Sequence, residues 1–426
     1  MLKTIIEILK ESNADAYEVS EINKEGWEFY FIKHSLDQNR AKTIKNYEVK
    51  VYKNIDDNKF IGFASGSISP SDNKEDIKKK IDNLIYQASL VKNNPYELNK
   101  PKETEIIDRK DINVEEEAKK FINCFNNLNE TETEYLNSYE IFVEKINKHF
   151  ITSEGIDIND TYLSSTLDIV VNAKKDDHEI ELYRLYNQGG CDEENIKEEI
   201  NDLLKFGKDR LNAINTPILQ DIPVIFSTDA AINIYRYFLF NLSCGYIFRK
   251  ISQFEIGKDI EENASEDKIT LKALRYLDNS NKNFAYDEEG APIKDLILIE
   301  NNIPKAYHGS KMFADLVGIK DSFIVSNYEV LGGKKTKEEL RKDKYLEIVE
   351  FSDFQVHPMS GDIFGEIRLA YYHDGEKIIP VSGGSVSGQM QKVLKDMQFS
   401  KEQKQYNNIK IPALTKLNNL IITGIK

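Results

Sequence analysis

A chain of 426 residues is too long for one ordinary hydrophobic core and predicts about two domains. Its formal charge of −15, with no cluster of Lys and Arg to offset it, opposes the counterion release that drives binding to phosphate backbones, which argues against direct nucleic-acid binding. Apolar residues at 40%, with 22 Tyr and 21 Phe, mark a folded chain; Cys124, Cys191 and Cys244 form neither a disulfide framework nor a CxxC metal pattern, so a reducing, cytoplasmic setting is expected.

Residues 1–12 place Leu2, Ile5, Ile6 and Leu9 on one helical face and Lys3, Glu7, Lys10 and Glu11 on the other, which predicts a packed surface helix rather than the continuous apolar run of a signal peptide. Strands are expected at 16–19, 27–32, 48–52 and 60–64, the last two joined by a turn at Asp56, Asp57 and Asn58. Asp72 and Glu75 have the spacing of a capping box, and Ile77, Ile81, Leu84, Ile85 and Ala88 follow at helical intervals up to Asn94 and Pro95. Val114, Ala118, Phe121, Ile122 and Phe125 predict a third helix, Tyr139, Ile141 and Val143 a strand, and further strands are expected at 163–171 and 180–186. Ile196, Ile200, Leu203, Leu204 and Leu211 mark another helix, closed by the breakers Asn215, Pro217 and Pro223.

The domain boundary is therefore placed at 215–221. Residues 1–215 read as an N-terminal α+β domain, a mixed sheet with helices, and residues 222–426 as a mainly antiparallel β-rich domain. In the second part, 223–226 is a strand feeding an aromatic helix over 230–242, apolar nearly all round and so expected to be buried in a core or an interface. Hairpins are expected at Asn301-Asn302 and Asp374-Gly375. The longest apolar segment, 230–248, is interrupted by Asn233, Arg236 and Asn241 and falls short of the ~20 apolar residues that span a bilayer, so no membrane partner is expected.

The closest two of the six histidines, His357 and His373, are 16 residues apart, so no pair shares a helix turn and no metal or other cofactor is expected. Asp353 and His357 lie among strand-like residues and read as a surface Asp and an ordinary His. The run from Gly383 to Gly388 lacks the endings of a phosphate loop and misses GxSxG at Ser387; it is either a tight turn or a backbone-contact site for peptide through exposed N–H groups. Cys244 has no histidine near it in sequence and reads as buried packing.

The segments 284–292, 296–302, Phe351 to Phe354, His357 to Phe364, Pro380 to Gly384, Ser387-Gly388 and Leu420 to Gly424 occur in the order found in the TldD/PmbA family, also called modulators of DNA gyrase, which the chain resembles over nearly its whole length. In that family TldD-type chains carry an HExxxH zinc motif and a cysteine ligand, whereas PmbA (TldE)-type chains lack them. The two kinds are understood to assemble into a peptidase acting on unfolded peptides. Here Tyr235, Arg236 and Phe240 stand where the motif belongs, side chains that cannot activate a zinc-bound water. The resemblance implies a non-catalytic PmbA-type subunit with no catalytic or metal residues of its own, an unfolded peptide as substrate, and a TldD-like subunit or a second copy as partner; association through the β-rich half is expected. Gly361, Asp362, Gly383, Gly384, Ser385 and Gly388 are its candidate peptide or partner contacts. The alternatives are a binding or regulatory module, such as a gyrase-associated factor, and a solitary hydrolase using remote carboxylates or Cys244.

Overall fold

The computed structural model describes residues 1–105 and 111–425. After helix α1 (Leu2–Glu11), the chain lays down β1 (Ala16–Ile32), β2 (Ser35–Ile55) and β3 (Phe60–Ile68). Helices α2 (Lys74–Ser89) and α3 (Val114–Asn123) lead to β4 (Glu134–Thr152), β5 (Asp157–Lys175), β6 (His178–Gln188) and α4 (Glu193–Leu211). The six strands form one sheet in the order β3-β2-β1-β4-β5-β6.

Every neighbouring pair in that sheet is antiparallel, where the sequence suggested a mixed sheet. Tight hairpins make four of the five pairs, with left-handed φ at Lys33, Asp56, Asp57, Asn58, Gly155 and Asp176 at the strand joints, and β4 returns antiparallel beside β1 after α2 and α3. The strands expected at 16–19 and 27–32 are one strand. Polar residues between them are carried across the ladder by ion pairs, such as Glu21 with Lys45 at 2.9 Å, and Lys24 with Glu144 at 3.9 Å.

The helical periods place the core. Ile5, Leu9, Ile77, Ile81 and Leu84 of α1 and α2 pack on Val19, Val49 and Val51. Phe121, Ile200, Leu203 and Leu204 of α3 and α4 pack on Ile141, Leu167 and Ile169. The cap of α2 is Asn73, whose side chain accepts from the Glu75 and Asp76 amides, and not Asp72. Asp72 instead accepts from the Ser69 amide at 2.8 Å and pairs with Lys80, one residue too early to reach the free N–H groups of the first turn.

The second part begins with β7 (Ile214–Asn215), β8 (Val224–Phe226), α5 (Ala231–Asn241) and α6 (Cys244–Phe248). Among the described residues, α5 lies in a core shared by a six-stranded and a nine-stranded sheet. The long hairpin Tyr345–Val356 with Asp362–His373 is the spine of the larger sheet. Most pairs are antiparallel; the parallel ones are β8 with Tyr345–Val356, β7 with Ile378–Ser382, and Asn327–Val330 with Ile409–Pro412. The expected turns are present, with left-handed φ at Asn301, Asn302 and Gly375. The chain is thus a two-domain α+β protein. Among the described residues no helix is long and apolar enough to cross a membrane.

Candidate functional site

Helix α5 is amphipathic rather than apolar all round. Tyr235 is fully buried and shares a 2.7 Å hydrogen bond with the Thr415 hydroxyl, whereas Arg236 and Phe240 lie on its exposed side. Phe240 stacks on Tyr246 at 5.9 Å. The three positions aligned with the metal motif therefore do not converge: one is core and two are surface.

Arg236 does reach a site, the cleft between the two domains. One wall is the outer end of β6, an edge strand, together with the outward residues of α4; the other is the approach to α5 (Thr228, Asp229, Ile232, Arg236) and the hairpin formed by Gln403–Tyr406 and Ile409–Pro412. The cavity holds about 220 Å³ and continues past Glu199, Phe206 and Thr228 into a charged groove of about 410 Å³. Amides (Asn187, Gln188, Asn195, Gln405) and two phenols line it, which suits a ligand rich in hydrogen-bond donors and acceptors.

Two ion pairs and a hydrogen bond hold the walls together. Arg184 of β6 pairs with Glu350 of strand Tyr345–Val356, Glu199 of α4 pairs with Lys404, and the Tyr371 hydroxyl donates to Asp209 at 2.6 Å. Burial pushes the Tyr186 and Tyr406 phenols well above their ordinary range, with the Glu199 carboxylate adding to both, so they act as neutral donors here. Burial also raises the Tyr328 phenol, an effect that the guanidinium of Arg236 beside it opposes. Among the described residues no cluster of three His, Cys, Asp or Glu side chains is placed to hold a metal.

The glycine-rich segment sits elsewhere, between strands Ile378–Ser382 and Ser385–Gln389. Gly383 and Gly384 have φ of 80° and 78°, and they exchange backbone hydrogen bonds with Ile367 at 2.9 and 3.0 Å. Pairing of Asp362–His373 with Ser385–Gln389 brings Gly361, Asp362 and Gly388 together at one end, where Asp362 accepts from Gln389 and from Ser360, and leaves Gly383, Gly384 and Ser385 at the other. A Cβ on Gly384 would meet the Thr423 carbonyl at 2.1 Å. Gly384→Ala should therefore cost about 2 kcal/mol or more, from left-handed strain plus the clash, and chemical denaturation should show it as a lower midpoint.

Cys244 is buried, with Sγ 3.9 Å from the Ser322 hydroxyl, and desolvation raises its thiol. Folding brings His308 to it through the backbone, the Cys244 amide donating to the His308 carbonyl at 2.7 Å. The side chains part: His308 Nε2 bonds the Leu239 carbonyl at 3.0 Å. His357 Nδ1 accepts from the Ser360 amide at 3.2 Å, a local turn contact. The residues that sequence reasoning missed are those of the cleft, which come from segments near 184, 199, 229 and 405. Only the lone charge of α5, Arg236, signalled it.

Residues 219–424 match the PmbA/TldA metallopeptidase C-terminal domain family. The whole fold is similar to that of TldE from Thermococcus kodakarensis, at a TM-score of 0.78 and 17% identity with 100% of each chain covered. Two proteins described as candidate modulators of DNA gyrase also match: one from Thermotoga maritima (TM-score 0.76, 16% identity, 99% of this chain and 98% of that one) and one from Bacteroides thetaiotaomicron (0.77, 13%, 100% and 98%). No match was found among curated proteins.

Proposed function

We propose that the chain, whose residues 219–424 match the family and whose whole fold is similar to that of TldE, is a PmbA/TldE-type subunit that binds unfolded peptide and completes a peptidase whose zinc motif lies on a partner chain. The observation that carries this reading is helix α5. Where the motif would present its ligands, Tyr235 is sealed in the core, and Arg236 and Phe240 offer neither an imidazole nor a carboxylate. The amide-lined cleft supports the peptide part of the reading, since backbone N–H and C=O groups need such partners.

For the partner, the edge of the larger sheet is the natural surface. Strands β7 and Ile421–Thr423 lie at its margins, and Ile214, Ile218, Ile421 and Ile425 are exposed along the segments that join there. A stable complex should bury at least about 1,000 Å² in total. Light scattering at micromolar concentration, with and without a zinc-bearing TldD-type chain, tests this: a complex is expected, together with cleavage of an unfolded peptide by the mixture alone. A mass that stays that of the single chain in both samples, or chelator-sensitive cleavage by this chain alone, would sink the proposal.

A further inference from the structure

Two thiols far apart in sequence meet in the fold. Cys124 caps the C-terminus of α3, Cys191 directly precedes Asp192, the N-cap of α4, and their Sγ atoms lie 3.5 Å apart across 67 residues of sequence. We propose that this pair is an oxidative modification site, converted by a peroxide-class oxidant into an intramolecular disulfide that fastens the end of α3 to the start of α4.

Burial divides the work. Cys191 is partly exposed and Cys124 has no exposed surface, so the oxidant reaches Cys191 first and Cys124 resolves. The Cys191 sulfur, losing its proton, attacks one peroxide oxygen; the O–O bond breaks, leaving a sulfenic acid and, once the departing hydroxide takes that proton, water. The Cys124 sulfur then attacks the sulfenic sulfur, the S–O bond breaks, and hydroxide leaves as a second water with the Cys124 proton. Two thiols and one peroxide thus give one disulfide and two waters. Closing the gap to an S–S bond of about 2.05 Å needs a shift of roughly 1.5 Å, which falls on the irregular segment 189–192 rather than on a strand.

The hydrogen bond that its S–H gives to Cys124, burial and the Glu117 and Glu193 carboxylates hold the Cys191 thiol protonated, so the resident state is the reduced pair and conversion needs oxidant in excess. The consequence lies in α4. Asn195, Glu199, Leu203 and Phe206 of that helix form a wall of the cleft, and the disulfide would anchor its first turn.

The test treats the full chain with hydrogen peroxide, then measures intact mass and maps the peptides. Expected are a loss of about 2 Da, a cross-linked peptide pair containing positions 124 and 191, reversal by dithiothreitol, and a thermal midpoint raised by about 5 °C, since closing a long loop restricts the unfolded chain. Cys191→Ser should abolish all four, and Cys244→Ser should leave them unchanged. Cys124→Ala, which keeps the buried site apolar, serves if Cys191→Ser misfolds. Oxygen added to Cys191 without a cross-link, a disulfide between two chains, or thiols that stay unmodified while free glutathione is oxidised would each overturn the proposal.

Discussion

Phe238→Asp should unfold the second domain, whereas Phe240→Asp, two residues along the same helix, should leave it standing. Phe238 has no exposed surface and meets Tyr237 edge-on at 5.5 Å and Phe254 at 6.1 Å, in the core that joins both sheets of that domain. A carboxylate there replaces a large aromatic in an apolar core, so the lost packing and the buried charge add to about 4 kcal/mol or more, against a typical total of about 5–15 kcal/mol. Phe240 is 45% exposed and loses little beyond its stacking on Tyr246, so its variant should cost less than about 1 kcal/mol. Thermal melts followed by circular dichroism separate the two. Equal losses in both variants, or a Phe238→Asp protein as heat-resistant as the parent, would show that α5 packs differently.

That contrast also marks where sequence is informative. The 3.6-residue period of α1, α2 and α4 carries its own core assignment, and Ile77, Ile81, Leu84, Ile85 and Ala88 are all buried because a helix against a sheet has only one face to bury. α5 has enough aromatic residues to hide that period, and only packing between two sheets separates Phe238 from Phe240. Strand lengths were less legible. β2 runs over 21 residues, its first half largely exposed, and there the ladder and cross-strand charges hold what alternation does not mark. The resemblance placed the second half in its family through short segments in order, yet it could not give the cleft. Residues near 184, 199, 229 and 405 meet only through tertiary contact, as do Cys124 and Cys191, and no linear spacing encodes either meeting.

Glu350→Ala should destabilise the protein by about 3–5 kcal/mol, while the double variant Arg184→Met with Glu350→Met should lie near the parent. Glu350 is 5% exposed, and its partner Arg184 reaches it from β6 of the other domain, so removing the carboxylate leaves a largely buried guanidinium without its ion-pair partner, with only the charge of Asp229 remaining to offset it in part. Two apolar side chains of similar reach remove both desolvation penalties at once, and for that reason the double variant recovers what each single one loses. The pH dependence gives a second readout. Burial raises the Glu350 pKa above the ordinary carboxylate value, more than Arg184 pulls it down. The folded chain thus binds this proton more tightly than the unfolded chain does; the stabilisation is full below the unfolded pKa and is lost as pH rises through the raised folded value. Glu350→Gln should remove that part of the pH profile. Urea titrations of the parent, Glu350→Ala, Arg184→Met, Glu350→Met, the double variant and Glu350→Gln at two pH values measure both effects, and additive single losses with an unchanged profile in Glu350→Gln would mean that the pair neither couples the domains nor titrates as a buried group.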